Sequence, residues 1–269
     1  RTKPGRYPLW GAYYYRWWLA QRLLALTHMK WFQGSPLMRL YLSALGAKIG
    51  PEALIGDIEI GAPDLISIGG YASLGSRLKI ANARVEGNEL IIGECAIGED
   101  VYIGTSCVIE ENVIIEKGAE LKDLTSIQAG TYIKANEIWD GSPGQMIGVV
   151  NPAELDPQST ASPARQTTMT FLYTIMVLAI PPFSLLPLFP SFWVFDRVDD
   201  LIGIADIDRT LYLLSIPLMA WPTSFVMVII TVGLIAMFRW TILPRVKEGT
   251  YSIHSWFYFR KWTLALTIE

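Results

Sequence analysis

The chain has 269 residues, a formal net charge of −3 and 17% charged residues, against roughly 25% in soluble domains. Aromatic residues make up 12%, so the low charge reflects apolar content, which excludes a disordered chain and indicates contact with lipid. The 22 basic and 25 acidic residues form no basic cluster, which excludes a nucleic-acid-binding surface. Two cysteines and two histidines are too few for a disulfide framework or a familiar metal site, so we expect no metal and a small apolar role for Cys95 and Cys107.

Residues 1–44 form the first predicted element, an aromatic helical preamble. Its rings are interleaved with cations: Trp10, Tyr13, Tyr14, Trp17, Trp18, Trp31 and Phe32 stand among Arg16, Arg22, Lys30 and Arg39. Aromatic bodies and cationic tips suit the headgroup layer, so we predict an interfacial helix that lies in the plane of the membrane. The alternative is a helix that caps the next domain, and the two roles are compatible on different faces.

Residues 45–150 carry a six-residue period that neither a helix nor an isolated strand explains. The period places an aliphatic side chain at Ile97, Ile103, Ile109, Ile115, Leu121, Ile127 and Ile133, and small or β-branched residues stand two positions before most of them. This pattern predicts a parallel β-helix in which three hexads close one triangular coil and both side chains face inward. Gly98 and Gly104 suit the corners, where the backbone turns tightly.

An earlier, imperfect run extends this solenoid to about five coils. It consists of Ile49, Ile55, Ile68, Leu74 and Ile80. The register is then lost until Ile92, because residues 81–89 are polar and contain the turn-forming pair Gly87 and Asn88. We predict a loop that leaves a corner of the coil and is either functional or a tolerated surface insertion.

A linker and two apolar spans follow the solenoid. Residues 151–165 have the Pro, Ser and Thr content of a linker. Residues 166–195 and 210–238 are uncharged and long enough to cross a bilayer as helices, with internal prolines that kink them. Residues 196–209 form an acidic extracytoplasmic connector, and basic residues follow the second span. The charge distribution predicts a two-helix transmembrane hairpin in the inner (cytoplasmic) membrane, a multi-pass location, with the β-helix in the cytoplasm.

The two ends of the chain carry the same pattern. Identical residues recur at an offset of 244, in the pairs Arg1 and Arg245, Lys3 and Lys247, Gly5 and Gly249, Tyr7 and Tyr251, Tyr14 and Tyr258, Arg16 and Arg260, and Trp18 and Trp262. We therefore predict that residues 239–269 are the start of a second, tandem copy of the module.

The motifs of the solenoid resemble those of the hexapeptide-repeat acyltransferase superfamily. The similarity rests on residues 45–50 at the start of the solenoid and on the turn formed by residues 141–144 at its end. It implies a mainly β fold with a left-handed coil, and acyl thioesters bound in grooves between neighbouring coils of a trimer. Many members use a loop histidine as general base, whereas no histidine lies between Ile49 and Ile147, so a conventional acetyl-CoA O-acetyltransferase is not favoured.

Taken together, the preamble, the solenoid, residues 82–89, the paired spans and the recurrence resemble the membrane-embedded C-terminal modules of poly-ε-lysine-synthetase-type nonribosomal peptide synthetases. The resemblance covers essentially the whole chain and implies an enzyme that joins a carrier-bound aminoacyl thioester to the amine of a free amino acid. It implies no directly bound cofactor, because a carrier domain supplies the phosphopantetheine. The other implied partners are membrane lipid and further modules of the same chain, which we expect to form a pseudo-trimer.

Such a reaction needs a deprotonated amine, a groove for the pantetheine arm and donors for an oxyanion. The predicted catalytic residues are Asn82, which would orient the amine or donate to the oxyanion, Glu86, which would bind or deprotonate an ammonium, and Asp57, which would attract a cationic substrate. The predicted substrate-binding residues are Glu89, on the same polar segment, and Gly141, Ser142 and Pro143, which would border the pantetheine groove. In the alternative interpretation these are solvated loop groups and a structural turn.

Two other function classes fit the same sequence features. One is a membrane-anchored, acyl-CoA-dependent acyltransferase that acts on a lipid or polysaccharide, and it would work with CoA thioesters alone. The other is a catalytically silent scaffold module of a pseudo-trimeric synthetase. A scaffold would keep its product yield when Asn82, Glu86 and Ser142 are substituted together.

Overall fold

The computed structural model describes residues 1–27, 29–151, 162–202, 209–242, 251–252 and 254–268. The chain divides into two compact units, Arg1–Thr160 and Ala161–Glu269. Residues 152–161, most of the predicted linker, lie outside the described residues.

The first unit begins with a short strand and two helices. Strand β1 (Gly5–Pro8) leads into α1 (Ala12–Ala25), and a 3-10 turn (Met29–Phe32) leads into α2 (Pro36–Ala44). Ser35 is the N-cap of α2, since its hydroxyl accepts the backbone N–H of Leu37. Helix α2 buries Met38 and Leu42 in the solenoid core, so the predicted capping role belongs to this helix.

The solenoid consists of short parallel strands in three sheets. The first sheet contains β2 (Lys48–Ile49), β5 (Ile66–Ile68), β10 (Cys95–Ile97), β13 (Val113–Ile115) and β16 (Tyr132–Ile133). The second contains β3 (Leu54–Ile55), β6 (Ser73–Leu74), β11 (Tyr102–Ile103), β14 (Glu120–Leu121) and β17 (Glu137–Asp140). The third contains β4 (Ile58–Ile60), β7 (Leu78–Ala81), β12 (Val108–Glu110) and β15 (Ser126–Ile127). The chain visits the three sheets in turn, which is the predicted parallel β-helix.

The six-residue period appears as columns of stacked side chains. On the first sheet the strand register aligns Ile49, Ile68, Ile97, Ile115 and Ile133. The second sheet aligns Ile55, Leu74, Ile103, Leu121 and Trp139, and the third aligns Ile60, Ile80, Ile109 and Ile127. Most of these side chains are fully buried, so the inward pattern predicted from the sequence is confirmed. The left hand of the coil stays a prediction.

Residues 81–89 are not the predicted loop. Strands β8 (Ala83–Glu86) and β9 (Glu89–Ile92) form an antiparallel hairpin, and β1 pairs with β9 to complete a three-stranded sheet. Gly87 and Asn88 both have positive φ, which is the geometry of a two-residue hairpin turn that matches the twist of its strands. The hairpin is held because Leu90 and Ile92 are buried beside the rings of the preamble.

A second antiparallel hairpin ends the solenoid. Strand β18 (Gln145–Val149) folds back on β17 through residues 141–144. A Cβ at Gly144 would lie 2.7 Å from Ile127 Cδ1, so the turn backbone lies directly on the last complete coil.

The two cysteines are buried in the solenoid wall. Each thiol donates to a backbone carbonyl, Cys95 to Glu110 at 3.1 Å and Cys107 to Lys122 at 3.0 Å. Burial raises the pKa of the Cys95 thiol to about 11, so neither the nucleophilic thiolate nor a metal-ligand thiolate is favoured there.

The second unit is helical. It contains α3 (Pro163–Ser184), α4 (Leu188–Ile202), α5 (Arg209–Ile242) and α6 (Trp256–Ile268). The predicted span over residues 166–195 is interrupted, since α3 ends at Ser184 and α4 starts at Leu188; Pro187 has no N–H with which to continue the helical hydrogen bonds. The predicted connector 196–209 is helical up to Ile202, and residues 203–208 lie outside the described residues.

Within the described part of the chain, a single segment, Ile216–Ile242 of α5, has the length and apolar composition of a membrane-spanning helix. The two-helix transmembrane hairpin and the multi-pass location are not supported by this finding. Many apolar side chains of α5 are exposed, including Trp221, Phe225 and Ile229.

The columns predict a sharp contrast between two adjacent isoleucines of β13. Ile115 is buried in the first column and Ile114 points outward, so Ile115→Ala should lower the free energy of unfolding by about 2–4 kcal/mol because it leaves a cavity. Ile114→Ala should lower it by less than about 1 kcal/mol. Denaturant unfolding followed by circular dichroism measures both, and equal losses would contradict the inward assignment of Ile115.

Candidate functional site

Asn82 lies at the base of the β8–β9 hairpin and is fully buried. Its Oδ1 accepts the backbone N–H of Ala62 at 2.9 Å, and its Nδ2 donates to the carbonyls of Ala62 at 2.9 Å and Gly93 at 3.4 Å. Both amide protons are therefore used within the fold. This geometry gives Asn82 the role of bracing the hairpin base and does not favour its predicted contact with an amine or oxyanion.

An ion-pair network fixes the hairpin to the solenoid. Arg84 donates from Nε to Glu111 Oε2 at 2.9 Å and from Nη2 to Glu111 Oε1 at 3.1 Å, a bidentate pair. Its Nη1 donates to Glu86 Oε2 at 2.6 Å. The hydrogen bonds to Glu111, whose side chain is only 5% exposed, raise the pKa of the Arg84 guanidinium above its ordinary value. Glu86 is thus the partner of a cation within the hairpin.

Glu89 lies directly opposite Glu86 at the tip of the same hairpin. Its carboxylate is 3.8 Å from Arg6 on β1, and both side chains are exposed. The structure therefore brings the two predicted glutamates together as an acidic hairpin tip, with a cation on either side.

Asp57 belongs to a different place, a cleft between the preamble and the first coil. Its Oδ1 accepts Gln33 Nε2 at 2.9 Å. The cleft has a volume of about 480 Å³ and is lined by Gln21, Leu24, Ala25, Thr27, Met29, Lys30, Gln33, Leu42, Leu45, Asp57, Ile58, Glu59, Ile60 and Pro63. It combines two carboxylates, two carboxamides and the Lys30 ammonium with an apolar wall. We call it the Asp57 cleft.

The α1 helix forms one wall of the Asp57 cleft. Trp17 Nε1 and Gln21 Nε2 both donate to the carbonyl of Gly61, at 3.1 and 2.5 Å. These two bonds hold the helix against the edge of the first coil, so the cleft has a fixed rim rather than a loose one.

Gly141, Ser142 and Pro143 lie in the exposed turn between β17 and β18. Strand β18 is the last strand of its sheet and exposes Met146, Ile147 and Val149. An exposed turn beside an apolar strand edge suits a chain of alkyl and amide groups.

The predicted site residues therefore occupy three places in one copy of the fold. Asp57 follows β3 in the first coil, the hairpin carries Asn82, Glu86 and Glu89, and Ser142 follows β17, the last parallel strand of the second sheet. Four strand spacings of about 4.8 Å, or roughly 19 Å, separate β3 from β17. A single copy does not unite all seven residues.

Sequence reasoning missed Gln21, Gln33 and the pair of Arg84 and Glu111. Gln33 precedes the Gly34 and Ser35 turn, a position that fixes its side chain toward the first coil. Arg84 stands between the apolar residues Ala83 and Val85. This alternation is typical of a strand, and it was the signal from which the orientation of the Arg84 side chain could have been predicted.

The fold and its columns define the class of protein: the chain is built on a hexapeptide-repeat β-helix. It is 38% identical over 269 residues to a delta-poly-L-ornithine synthetase of Acinetobacter baumannii (strain AB307-0294), a match that covers 98% of this chain and 20% of that protein. The resemblance drawn from the sequence is thereby confirmed. The chain spans about one-fifth of the length of this relative, and no family model matches it.

Solved structures with partial similarity include acetyltransferases and an N-acyltransferase. A hexapeptide-repeat acetyltransferase of Vibrio cholerae has a TM-score of 0.37 and 18% identity, over 39% of this chain and 64% of its own. A maltose O-acetyltransferase of Clostridium difficile 630 has a TM-score of 0.40 and 12% identity, over 55% and 94%. An N-acyltransferase of Bacillus cereus has a TM-score of 0.33 and 16% identity, over 40% and 75%.

The buried pair of Arg84 and Glu111 generates a test of the hairpin anchor. Arg84→Met should lower the free energy of unfolding by about 2–3 kcal/mol because it leaves the Glu111 carboxylate buried and unpaired. The loss should fall short of that for a fully buried pair, since the Arg84 side chain is 31% exposed. Denaturant unfolding gives the value.

The double variant Arg84→Met/Glu111→Leu should recover most of that loss, since no charge is then left buried. Lys117→Met is the matched control, because the Lys117 side chain is exposed and pairs with Glu99 and Asp100 at the surface, so its loss should leave the unfolding midpoint almost unchanged. Equal effects of Arg84→Met and Lys117→Met would contradict the anchor.

Proposed function

We propose that the chain is an amide-bond-forming module of a membrane-bound nonribosomal peptide synthetase. It would join a carrier-bound aminoacyl or peptidyl thioester to the amine of a free amino acid. The observation that carries this proposal is the 38% identity, across 98% of the chain, to a segment of a poly-L-ornithine synthetase. A relative of that name makes a basic amino acid the first substrate to test.

In the proposed reaction the acceptor amine attacks the carbonyl carbon of the thioester. The C–N bond forms and the C–S bond breaks, so the carrier thiolate leaves and takes up the proton that the acceptor nitrogen releases. The step requires an uncharged amine in place and donors for the tetrahedral oxyanion. The protein's contribution is to hold the two reactants in line.

The Asp57 cleft is the proposed acceptor site. The Asp57 carboxylate, oriented by Gln33, would bind an ammonium group. Glu59 on the same wall is paired with Lys79 at 3.2 Å, and Lys30 also lines the cleft, so Asp57 is the carboxylate proposed to hold the acceptor. Leu24, Leu45 and Ile60 supply an apolar surface for a methylene stem. A free amino acid with a cationic side chain matches both properties.

The exit turn is the proposed boundary of the thioester site. Gly141, Ser142 and Pro143 are exposed beside β18, and the pantetheine arm that the carrier brings as part of its substrate would lie along this edge. Because the cleft and this turn lie at opposite ends of the solenoid, we propose that tandem modules form a pseudo-threefold ring in which neighbouring copies complete each other's sites.

The proposed location is the inner membrane, with the β-helix in the cytoplasm. The support is the apolar segment Ile216–Ile242 of α5, which ends near the basic residue Arg239, while α4 carries Asp196 and Asp200. In the proposed multi-pass arrangement, α3 and α4 would enter the bilayer as well.

The test uses the longer synthetase that would contain this chain, reconstituted in nanodiscs with ATP and a panel of amino acids. Mass spectrometry should show products spaced by the mass of one amino-acid residue. Asp57→Asn should raise the KM for a cationic acceptor about tenfold with little change in kcat, since it removes binding charge that acts equally before and during the reaction. Glu99→Gln, which changes an exposed carboxylate in the third coil, should leave both constants unchanged.

Three outcomes would overturn the proposal. Adenylation with a loaded carrier but without ligated product removes amide formation. Products formed from CoA thioesters alone would select the acyl-CoA-dependent acyltransferase. Unchanged yield after joint substitution of Asn82, Glu86 and Ser142, with Asp57→Asn also silent, would select the scaffold.

A further inference from the structure

The two copies of the preamble pattern share local structure as well as sequence. The offset of 244 residues aligns Ala12, where α1 begins, with Trp256, where α6 begins. It also aligns two ring stacks: Tyr7 on Tyr13, with centroids 3.8 Å apart, and Tyr251 on Phe257, with centroids 4.0 Å apart. Helix α6 is therefore a second instance of α1, and its surroundings show what such a helix packs against.

One face of α6 contacts α3, and α6 also packs against α5. Phe259 and Trp262 meet the ring of Tyr173 edge-on, with centroid distances of 5.1 and 4.6 Å. Both are buried, at 9% and 8% exposed, and Thr263 and Leu266 on the same face are buried with them. Tyr173 itself is fully buried in this contact.

The equivalent face of α1 is exposed. Tyr15, Trp18 and Leu19, which correspond to Phe259, Trp262 and Thr263, are 62%, 38% and 42% exposed. Leu23 and Leu26 continue the stripe at helical spacing and are exposed as well. We call these five residues the α1 stripe.

The opposite face of α1 is already occupied. Tyr13, Tyr14 and Trp17 pack on the cluster of Ala62, Leu90 and Ile92. The α1 stripe is therefore the side of the helix that points away from the solenoid, and a contiguous apolar stripe of this kind marks an interaction surface.

We propose that the α1 stripe docks on an α3-type helix from another copy of the module, with Tyr15 and Trp18 around the counterpart of Tyr173. The choice of occupant follows from α6, which is equivalent to α1. The corresponding face of α6 is buried, and its Phe259 and Trp262 contact Tyr173 of α3. The proposal rests on the tandem modules of the proposed function, and it supplies the contact through which one module would be joined to another. Lipid is the competing occupant of an exposed aromatic face.

The test places the photoreactive residue p-benzoylphenylalanine at position 19 of the longer polypeptide in nanodiscs. Illumination and peptide mapping should give an adduct to the α3-type helix of another module. Position 263 is the positive control, because Thr263 is the buried counterpart of Leu19 and should react with the helices of this chain that pack on α6, namely α3 and α5. Position 10 is the negative control, since Trp10 precedes α1 and is exposed off the stripe.

Adding Trp18→Ala should abolish the adduct from position 19 and leave that from position 263 unchanged. Adducts from position 19 with lipid alone, or a yield no higher than that from position 10, would overturn the proposal. The readout is a covalent contact rather than product formation, so its failure is distinguishable from failure of amide ligation.

Discussion

The stacking of inward aliphatic side chains in three columns is the constraint on which the first unit depends. Each coil contributes one apolar residue to each column, so the coil below and the coil above exclude water from it on both sides. The backbone hydrogen bonds between coils follow the same register, which leaves side chains such as Tyr102 and Tyr132 free to point outward. The core thus makes the solenoid rigid along its axis, and the outward-pointing side chains and inserted segments are attached to this rigid core.

The candidate functional features all lie where the chain departs from these columns. The hairpin leaves the solenoid between β7 and β10 and is held by Asn82 at its base and Arg84 along its length. The Asp57 cleft lies where the preamble meets the first coil, and the exit turn lies where the last parallel strand reverses. A stiff solenoid that carries irregular segments at fixed heights is a suitable support for a site assembled from several copies.

The parts predictable from the sequence are those with a local cause. A six-residue period has one common structural explanation, so the solenoid, its inward residues and its corners followed from Ile97 to Ile133 alone. The hairpin did not follow, because β1 pairs with β9 across more than 80 residues and Glu111 lies 27 residues from Arg84. Asn82 was predicted to be a reactive loop group because its hydrogen-bond partners, Ala62 and Gly93, are distant in sequence and come close to it only in the folded coil. The helix break after Ser184 was not predicted. Each of the four prolines in residues 166–195 removes one backbone N–H from the helical hydrogen bonds, and the surplus length of the segment does not replace these bonds.

Elements of different geometry cover parts of both ends of the solenoid. A parallel β-helix ends in open strand edges, which are templates for addition of another solenoid end to end. Helix α2 covers the first coil with Met38 and Leu42, and the antiparallel strand β18 covers the last parallel strand of the second sheet, whereas β16 and β15 end the other two sheets. End-to-end addition along the solenoid axis is therefore disfavoured where these elements lie. In the proposed tandem arrangement, neighbouring copies would then meet sideways, as discrete folded bodies.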